Sequence, residues 1–199
     1  MKKDGSDACS HLDRERKVLQ TWLKEGARGC LIFEHGGSGG RPVSFYRLLY
    51  EGRWSWVLKN RLRSIAAYIA ELCPLPSWKS FWYWQAGVKL GKNSFIAHGV
   101  KLDLMFPQLL TIEENSVVGM DAMIQAHHFD LAKACLGRVI VKAGSVIGAR
   151  SLIAGPAMIG PRAVVAIAAV LVNQNVEEAA VVGGIPARLI KTAAYSQGL

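Results

Sequence analysis

Two adjacent histidines, His127 and His128, lie where a regular six-residue pattern gives way to an irregular stretch, residues 129–138. Histidine is protonated and deprotonated near neutral pH, so it can take and return a proton in catalysis. His127 takes the fourth place of its hexad, which points outward on a strand, and His128 takes the fifth, normally a small inward residue. We predict general acid–base chemistry at this pair. The strand register favours His127, and His128 stays open as the alternative.

The hexads that precede and follow the pair define the scaffold. Their first place is always aliphatic, at Leu90, Ile96, Leu102, Ile112, Val118, Ile124, Val141, Ile147, Ile153, Ile159, Val165 and Leu171. Their fifth place is usually small, and strand alternation turns both places inward. Three such strands form a coil of eighteen residues, and stacked coils form a parallel β-helix. The period breaks at residues 104–110 and 129–138, and insertions in such solenoids lie at corners and often carry function.

The chain before the hexads has a different character. We divide the sequence into an N-terminal helical, basic and aromatic segment (1–84) with a Gly-rich linker (34–42), a β-helix domain (85–191) and a tail (192–199). Five of six tryptophans lie within Val43–Trp84, where an apolar stripe predicts an amphipathic helix; its members are Leu58, Leu62, Ile65, Ile69 and Leu72. The favoured interpretation packs this stripe on the main domain, and the alternative places it on an anionic membrane.

Composition excludes several classes of protein. A chain of 199 residues with 51% hydrophobic residues predicts one ordered main fold. No apolar run is long enough to span a bilayer, and Met1–Asp13 is too polar for a secretory signal. Four distant cysteines fit neither a zinc ribbon nor a disulfide scaffold, which favours reduced thiols in the cytoplasm. The net charge of +9 attracts phosphates, although no nucleic-acid-binding module is recognisable.

Three stretches resemble the left-handed parallel β-helix (hexapeptide-repeat) acyltransferases, in particular the sugar and polysaccharide O-acetyltransferases. They are GVKLGKNSFIAHGVKLD (Gly87–Asp103), TIEENSVVGMDAMIQAHHF (Thr111–Phe129) and VVGGIPARLIK (Val181–Lys191). The resemblance implies a left-handed β-helix closed by a short C-terminal helix, assembled as a homotrimer. It also implies transfer of an acetyl group from acetyl-CoA to a hydroxyl of a sugar or polysaccharide precursor, with a histidine base and no metal.

The resemblance further suggests which residues bind the two substrates. The pantetheine arm of acetyl-CoA is expected along small-residue coils, and its phosphates near the C-terminal end; the residues concerned are Ala149, Ala166, Ala168, Ala169, Asn173, Gln174, Arg188 and Lys191. Gln174 stands where the family usually has a lysine. A run without acidic residues, 131–176, predicts a cationic groove for the donor. On the acceptor side we expect Asp121, Asp130 and Arg138, and the two aspartates are the acids nearest in sequence that could orient His127.

Two other functions are open at this stage. In a γ-carbonic-anhydrase-like site, His98, His127 and His128 would bind zinc. In a non-catalytic scaffold, the β-helix would only assemble with a membrane or polysaccharide complex. We expect no nucleic-acid partner, and a cytoplasmic location that includes peripheral contact with the inner membrane face.

Overall fold

The computed structural model describes residues 4–34, 45–50, 53–129 and 133–192, and for residues 4–12 and 45–47 it describes the backbone alone. The helices of this part of the chain are α1 (Asp4–Lys24), α2 (Phe45–Tyr50), α3 (Trp54–Leu72) and α4 (Pro76–Ala86), and a short 3-10 helix covers Pro107–Leu109. The strands are β1 (Cys30–Glu34), β2 (Lys89–Leu90), β3 (Phe95–Ile96), β4 (Lys101–Leu102), β5 (Leu110–Ile112), β6 (Val117–Val118), β7 (Met123–Gln125), β8 (His127–Phe129), β9 (Lys133–Gly137), β10 (Val139–Val141), β11 (Val146–Ile147), β12 (Leu152–Ala154), β13 (Ala157–Ile159), β14 (Val164–Val165), β15 (Val170–Val172), β16 (Ala180–Gly183) and β17 (Arg188–Thr192).

Strands β2 to β7 and β10 to β15 wind into four stacked coils. Each coil contributes one strand to each of three parallel sheets, in the orders β2-β5-β10-β13, β3-β6-β11-β14 and β4-β7-β12-β15. Val141 pairs with Ile159 eighteen residues later, which is the predicted length of a coil. This pairing confirms the parallel β-helix predicted from the hexads.

The aliphatic first places and small fifth places of the hexads fill the interior. Ile147, Ile153 and Ile159 are completely buried, as are Ser145 and Ala163 at fifth places. Each buried isoleucine contributes about 1.5–3 kcal/mol through removal of its side chain from water. The coil therefore derives its stability from the same periodicity that made it recognisable in the sequence.

The corners between strands need left-handed backbone and close approach of neighbouring coils. Asn115, Arg150 and Ala168 all adopt φ values of 56–58°. A Cβ on Gly148 would lie 2.6 Å from the carbonyl carbon of Ala166 in the next coil. The second place of the hexad is small for this reason, because a larger side chain would collide with backbone.

The longer insertion forms a hairpin, where the sequence indicated only an excursion. Strands β8 and β9 pair antiparallel, with His127 opposite Leu136. Strand β1 then pairs with the other edge of β9, with Ile32 opposite Cys135. The sequence analysis did not predict this strand, which anchors the N-terminal segment to the insertion.

Helix α4 packs against the first coil of the β-helix through buried polar groups. Lys79 Nζ donates a 3.1 Å hydrogen bond to the carbonyl oxygen of Ala97, and the Tyr83 hydroxyl donates a 2.9 Å hydrogen bond to that of Val100. Burial lowers the pKa of Lys79 below its usual range. Lys79 is therefore part of the packing between α4 and the first coil rather than of the basic surface of the segment.

The predicted packing of α3 is wrong. Leu58, Leu62, Ile65 and Leu72 of the apolar stripe are 43–65% exposed. The face that packs inward carries smaller residues, namely Val57, Asn60, Ala66, Ala67 and Ala70. Small side chains let α3 approach α4 and the first coils closely, so the larger apolar residues remain on the outside. In the described part of the chain, no helix is long and apolar enough to cross a membrane.

The C-terminal end of the described chain consists of two further strands. Strand β16 extends the β3-β6-β11-β14 sheet, and after a turn β17 pairs antiparallel with β16. Arg188–Thr192 thus forms a strand that follows the last coil. Residues 193–199 lie outside the described part of the chain.

Candidate active site

A buried carboxylate holds one imidazole of the histidine pair. Asp103 Oδ2 lies 2.6 Å from Nδ1 of His127; the Asp103 side chain is fully buried and that of His127 is 14% exposed. The carboxylate also accepts the backbone N–H groups of Met105 and Phe106 at Oδ1 and of Ala126 at Oδ2, at 2.8–2.9 Å. Because a carboxylate oxygen only accepts, Nδ1 carries a proton, and in the neutral imidazole Nε2 carries the lone pair. Asp103 therefore sets both the orientation and the tautomer of His127.

Two aromatic rings flank the same imidazole. The Phe106 ring lies edge-on at 5.8 Å between centroids, and the Phe129 ring lies edge-on at 5.9 Å. Phe106 comes from the shorter insertion and is completely buried, whereas Phe129 comes from β8 and is exposed. The rings limit rotation of the imidazole, so His127 is positioned from two separate insertions.

His128 has a different environment. Its Nδ1 lies 3.0 Å from the carbonyl oxygen of Gly155, and its Nε2 lies 3.2 Å from Nδ2 of Asn173. A carbonyl only accepts, so Nδ1 is the donor and the Nε2 lone pair receives the amide hydrogen of Asn173. Both nitrogens of His128 thus take part in bonds to later coils of the β-helix.

Of the two aspartates expected near His127, Asp121 lies elsewhere. Asp121 lies at a corner with φ of 56°, and its carboxylate faces Arg150 at 3.8 Å. Asp130 lies outside the described residues. The residue that sequence reasoning missed is Asp103, because we searched for the acids nearest in sequence.

Coil stacking contained the signal that identifies Asp103. Leu102 pairs with Ile124 in the next coil. The next residue, Asp103, therefore lies beside Gln125, which precedes His127 by two positions. The shorter insertion lengthens this coil to 22 residues, as Leu90 pairs with Ile112. Counting that extra length when stacking the hexads would have located the carboxylate.

The expected donor residues divide between the surface and the core. Ala149 and Ala166 are half-buried, and Ala168 is exposed; they lie at stacked corners, where the Ala168 N–H donates to the Ala149 carbonyl at 2.9 Å. Ala169 is completely buried in the core, so its side chain does not reach that surface. Gln174 is half-buried, and Arg188 and Lys191 are exposed on β17. Asn173 is the donor to His128 described above.

The run 131–176 contains no acidic residue in the sequence, but in the structure acidic residues from other parts of the chain lie next to it. Lys142 Nζ lies 2.8 Å from Glu113, Arg162 pairs with Glu178, and Arg150 faces Asp121. These acids belong to neighbouring coils outside the run. Arg138 is half-buried and, within the described structure, its Nε has no hydrogen-bond partner.

The three histidines of the zinc alternative do not converge in one chain. His98 is exposed in the first coil, while His127 and His128 bond to Asp103 and to Gly155 with Asn173. Across the described ranges, no group of three His, Cys, Asp or Glu side chains lies close enough to hold a metal ion.

Comparison with known proteins defines the class. The Bacillus subtilis protein named "Putative acetyltransferase YvoF" is 34% identical over 137 residues, which cover 68% of this chain and 77% of that protein. The hexapeptide-repeat acetyltransferase VCA0836 of Vibrio cholerae, solved with acetyl coenzyme A, superposes with a TM-score of 0.60 at 17% identity, covering 75% of this chain and 98% of that one. A galactoside acetyltransferase in complex with coenzyme A superposes with a TM-score of 0.54 at 13% identity, covering 68% and 80%. No protein-family model matches the chain.

The fold and the relative together fix the family. The chain belongs to the hexapeptide-repeat acetyltransferases, and the left-handed parallel β-helix that the resemblance implied is confirmed. It is accordingly an enzyme of the acetyltransferase class.

The hydrogen bonds of Asp103 lead to a first prediction, on stability. Asp103→Ala leaves three buried N–H groups without an acceptor, and each such loss costs about 1–3 kcal/mol. We expect the free energy of unfolding to fall by about 3 kcal/mol or more. Urea unfolding followed by circular dichroism measures the change. His127→Ala, the matched control, keeps all three acceptors and is expected to lose less; equal losses would contradict this role of the carboxylate.

Proposed function

We propose that this protein transfers an acetyl group from acetyl-CoA to a hydroxyl of a sugar or polysaccharide precursor, with His127 as the general base. The observation that carries the proposal is the Asp103–His127 pair, in which a buried carboxylate leaves the lone pair on Nε2. An imidazole oriented by a carboxylate is the arrangement that several unrelated acyl-transfer enzymes use to activate a hydroxyl.

The reaction balances with these groups. Nε2 of His127 takes the proton of the acceptor hydroxyl while its oxygen attacks the thioester carbonyl carbon. The carbon–sulfur bond then breaks, and the imidazolium returns the proton to the departing thiolate, giving an acetyl ester and coenzyme A. Asp103 is a positioning residue that stabilises the imidazolium between the two steps.

The contacts of His128 argue against it as the base. The Nε2 lone pair of His128 already accepts from Asn173, so proton abstraction there would require that bond to break. His128 also donates to Gly155, which suits a structural link between the insertion and the third coil. The strand register favoured His127 independently of these contacts.

Support for the substrates comes from the proteins of similar fold. The Vibrio cholerae structure contains acetyl coenzyme A, and the galactoside acetyltransferase is named for a sugar acceptor. On this chain, we assign the donor to the corner column of Ala149, Ala166 and Ala168, with Arg188 and Lys191 at its C-terminal end. Small side chains at these corners leave room for a pantetheine arm next to backbone amides.

The second prediction tests the base. His127→Ala is expected to lower turnover by about 10²–10⁴-fold, because the transferred proton loses its acceptor. His128→Ala, the matched control one residue away, is expected to lower turnover less than about tenfold. Release of coenzyme A with a galactoside acceptor measures turnover, and calorimetry checks that acetyl-CoA affinity is retained. A larger loss in His128→Ala would reverse the assignment, and unchanged turnover in both variants would refute the mechanism.

We propose in addition that the enzyme is a homotrimer. One face of the β-helix carries an outward ladder of apolar side chains in register, Phe95, Val117, Val146, Val164 and Val181. Phe95, Val117 and Val146 are 37–46% exposed in the single chain. A continuous apolar ladder on an open sheet face is a surface that a neighbouring subunit would cover.

The third prediction concerns assembly. Sedimentation or light scattering should give about 65 kDa, three times the 21.7 kDa of one chain under closed three-fold symmetry. Val146→Glu places a charge in the ladder and is expected to yield monomers. Met158→Glu is the control, because Met158 is similarly exposed on another face. A wild-type monomer, or trimers that survive Val146→Glu, would contradict the proposed interface.

We also propose that the outer face of α3 contacts an anionic membrane. The exposed stripe of α3 continues through the connection to α4, where Leu72, Leu75 and Trp78 are all exposed. Arg61 lies on the same side of the helix and is exposed as well. An apolar stripe bordered by basic residues and tryptophan suits the boundary between headgroups and acyl chains. Each basic residue near the surface would contribute about 1 kcal/mol.

The fourth prediction tests this contact. The full chain is expected to co-sediment with vesicles containing phosphatidylglycerol, and binding should weaken as salt rises because the attraction is screened. Replacing both Leu62 and Ile65 by Glu should abolish binding. Replacing both Leu189 and Ile190 by Glu is the control, since these residues are equally exposed on β17. Equal binding by the two double variants, or no binding by the wild type, would rule out membrane contact through α3.

A further inference from the structure

A basic cavity lies between the N-terminal helices and the β-helix. It has a volume of about 690 Å³, within the usual range for small-molecule sites, and its walls come from α1, α3, the 3-10 helix and the residue that follows β9. Five cationic side chains line it, namely Lys24, Arg53, Lys59, Arg63 and Arg138. Among the described residues that line it, none is acidic.

Three basic residues of the β-helix face carboxylates, and within the described residues the five cations of the cavity do not. Lys142, Arg150 and Arg162 each face a carboxylate. Within the described residues, no ion pair involves any of the five that line the cavity. Like charges gathered in one concave site repel one another, so an anion bound there would lower the electrostatic free energy.

Two polar side chains at the cavity also lack partners. The Nε of Arg138, and both Oε1 and Nε2 of Gln108, are shielded from solvent and make no hydrogen bond within the described structure. Burial also lowers the pKa of Arg63 below its usual range, which reflects the cost of keeping that guanidinium charged without a partner. A ligand that reaches these atoms would satisfy two donors with acceptor oxygens and Gln108 Oε1 with a hydroxyl.

We propose that this cavity binds a phosphorylated sugar, with the phosphate among the cations and a sugar hydroxyl toward Gln108. Trp56 supplies an apolar wall: its Nε1 is occupied by the carbonyl oxygen of Leu48, so the ring can contribute only its face. The site is separate from the donor column, which lies on corners of the later coils. The inference concerns binding, and it holds whether or not the proposed acetyl transfer is correct.

The same chain segments that line the cavity also contribute to the His127 site. Gln108 and Leu109 line the cavity, and the same insertion supplies Phe106 to His127 and directly follows Asp103. Arg138 follows Gly137, whose N–H donates to the carbonyl oxygen of Ala126. A ligand in the cavity would therefore contact both insertions that position the imidazole.

The two stripes of α3 allow a sharp test. Lys59 and Arg63 line the cavity, whereas Arg61 lies on the side of the exposed apolar stripe. Isothermal titration calorimetry of the full chain with glucose 1-phosphate should show binding that weakens about tenfold or more in Lys59→Gln and in Arg63→Gln, because each variant removes a charged hydrogen-bond donor to the phosphate. Arg61→Gln removes the same charge from the same helix and should leave the affinity within about twofold. Lys59 is exposed, so its variant tests the site even if Arg63→Gln fails to fold.

Several outcomes would overturn the proposal. If glucose 1-phosphate does not bind at concentrations up to about 10 mM, the proposal is refuted, because an affinity weaker than that is too low for a specific site. Equal weakening by Arg61→Gln and Lys59→Gln would indicate general surface charge. Glucose alone binding as well as glucose 1-phosphate would remove the role of the phosphate, and inorganic phosphate binding equally well would remove that of the sugar.

Two further experiments test whether the cavity binds a different phosphate-containing ligand. If acetyl-CoA displaces glucose 1-phosphate and its own affinity falls in Lys59→Gln, the cavity belongs to the donor site and the assignment is wrong. If Lys59→Gln abolishes binding to phosphatidylglycerol vesicles while glucose 1-phosphate does not bind, the ligand is a lipid headgroup. The expected pattern is the reverse, with vesicle binding sensitive to Arg61→Gln and glucose 1-phosphate binding sensitive to Lys59→Gln.

Discussion

The carboxylate of Asp103 is the interaction on which the candidate site depends. It accepts hydrogen bonds from the insertion that follows it, at Met105 and Phe106, and from the next coil at Ala126 and His127. A buried carboxylate is tolerated only where such donors surround it, since an unpaired charge in the interior is very costly. The arrangement ties two coils together and holds an imidazole in one tautomer. Structure and chemistry therefore depend on the same four hydrogen bonds.

The β-helix and its insertions have separate tasks. The coils supply a rigid ladder whose interior is filled by aliphatic and small residues, and regular coils leave no room for extra residues except at corners. Both insertions reach the His127 site, one through Phe106 and the other through β8 and β9. Strand β1 completes the sheet of the longer insertion, so the N-terminal segment contributes to the surroundings of the site as well as to the surface.

The N-terminal segment presents two different surfaces through one helix. On α3, an apolar stripe faces outward, and the opposite side carries both the small residues that pack inward and Lys59 and Arg63, which line the basic cavity. A helix with 3.6 residues per turn separates two such sides. This separation explains how one segment can be rich in tryptophan, leucine and arginine at once. The composition averages over faces that the structure keeps apart.

The sequence by itself determined the β-helix, because an inward aliphatic residue every six positions is a local pattern that only one kind of coil satisfies. It also identified the histidine pair, since a break in a regular period is visible without coordinates. The tertiary structure decided which acid orients His127, which face of α3 is buried and which cations remain unpaired. Each of these depends on residues brought together across coils or between helices: Asp103 is 24 positions from His127, and Glu178 neutralises Arg162 from the next coil. Proximity in sequence pointed to Asp121 and Asp130, but the stacking of coils places Asp103 against the imidazole.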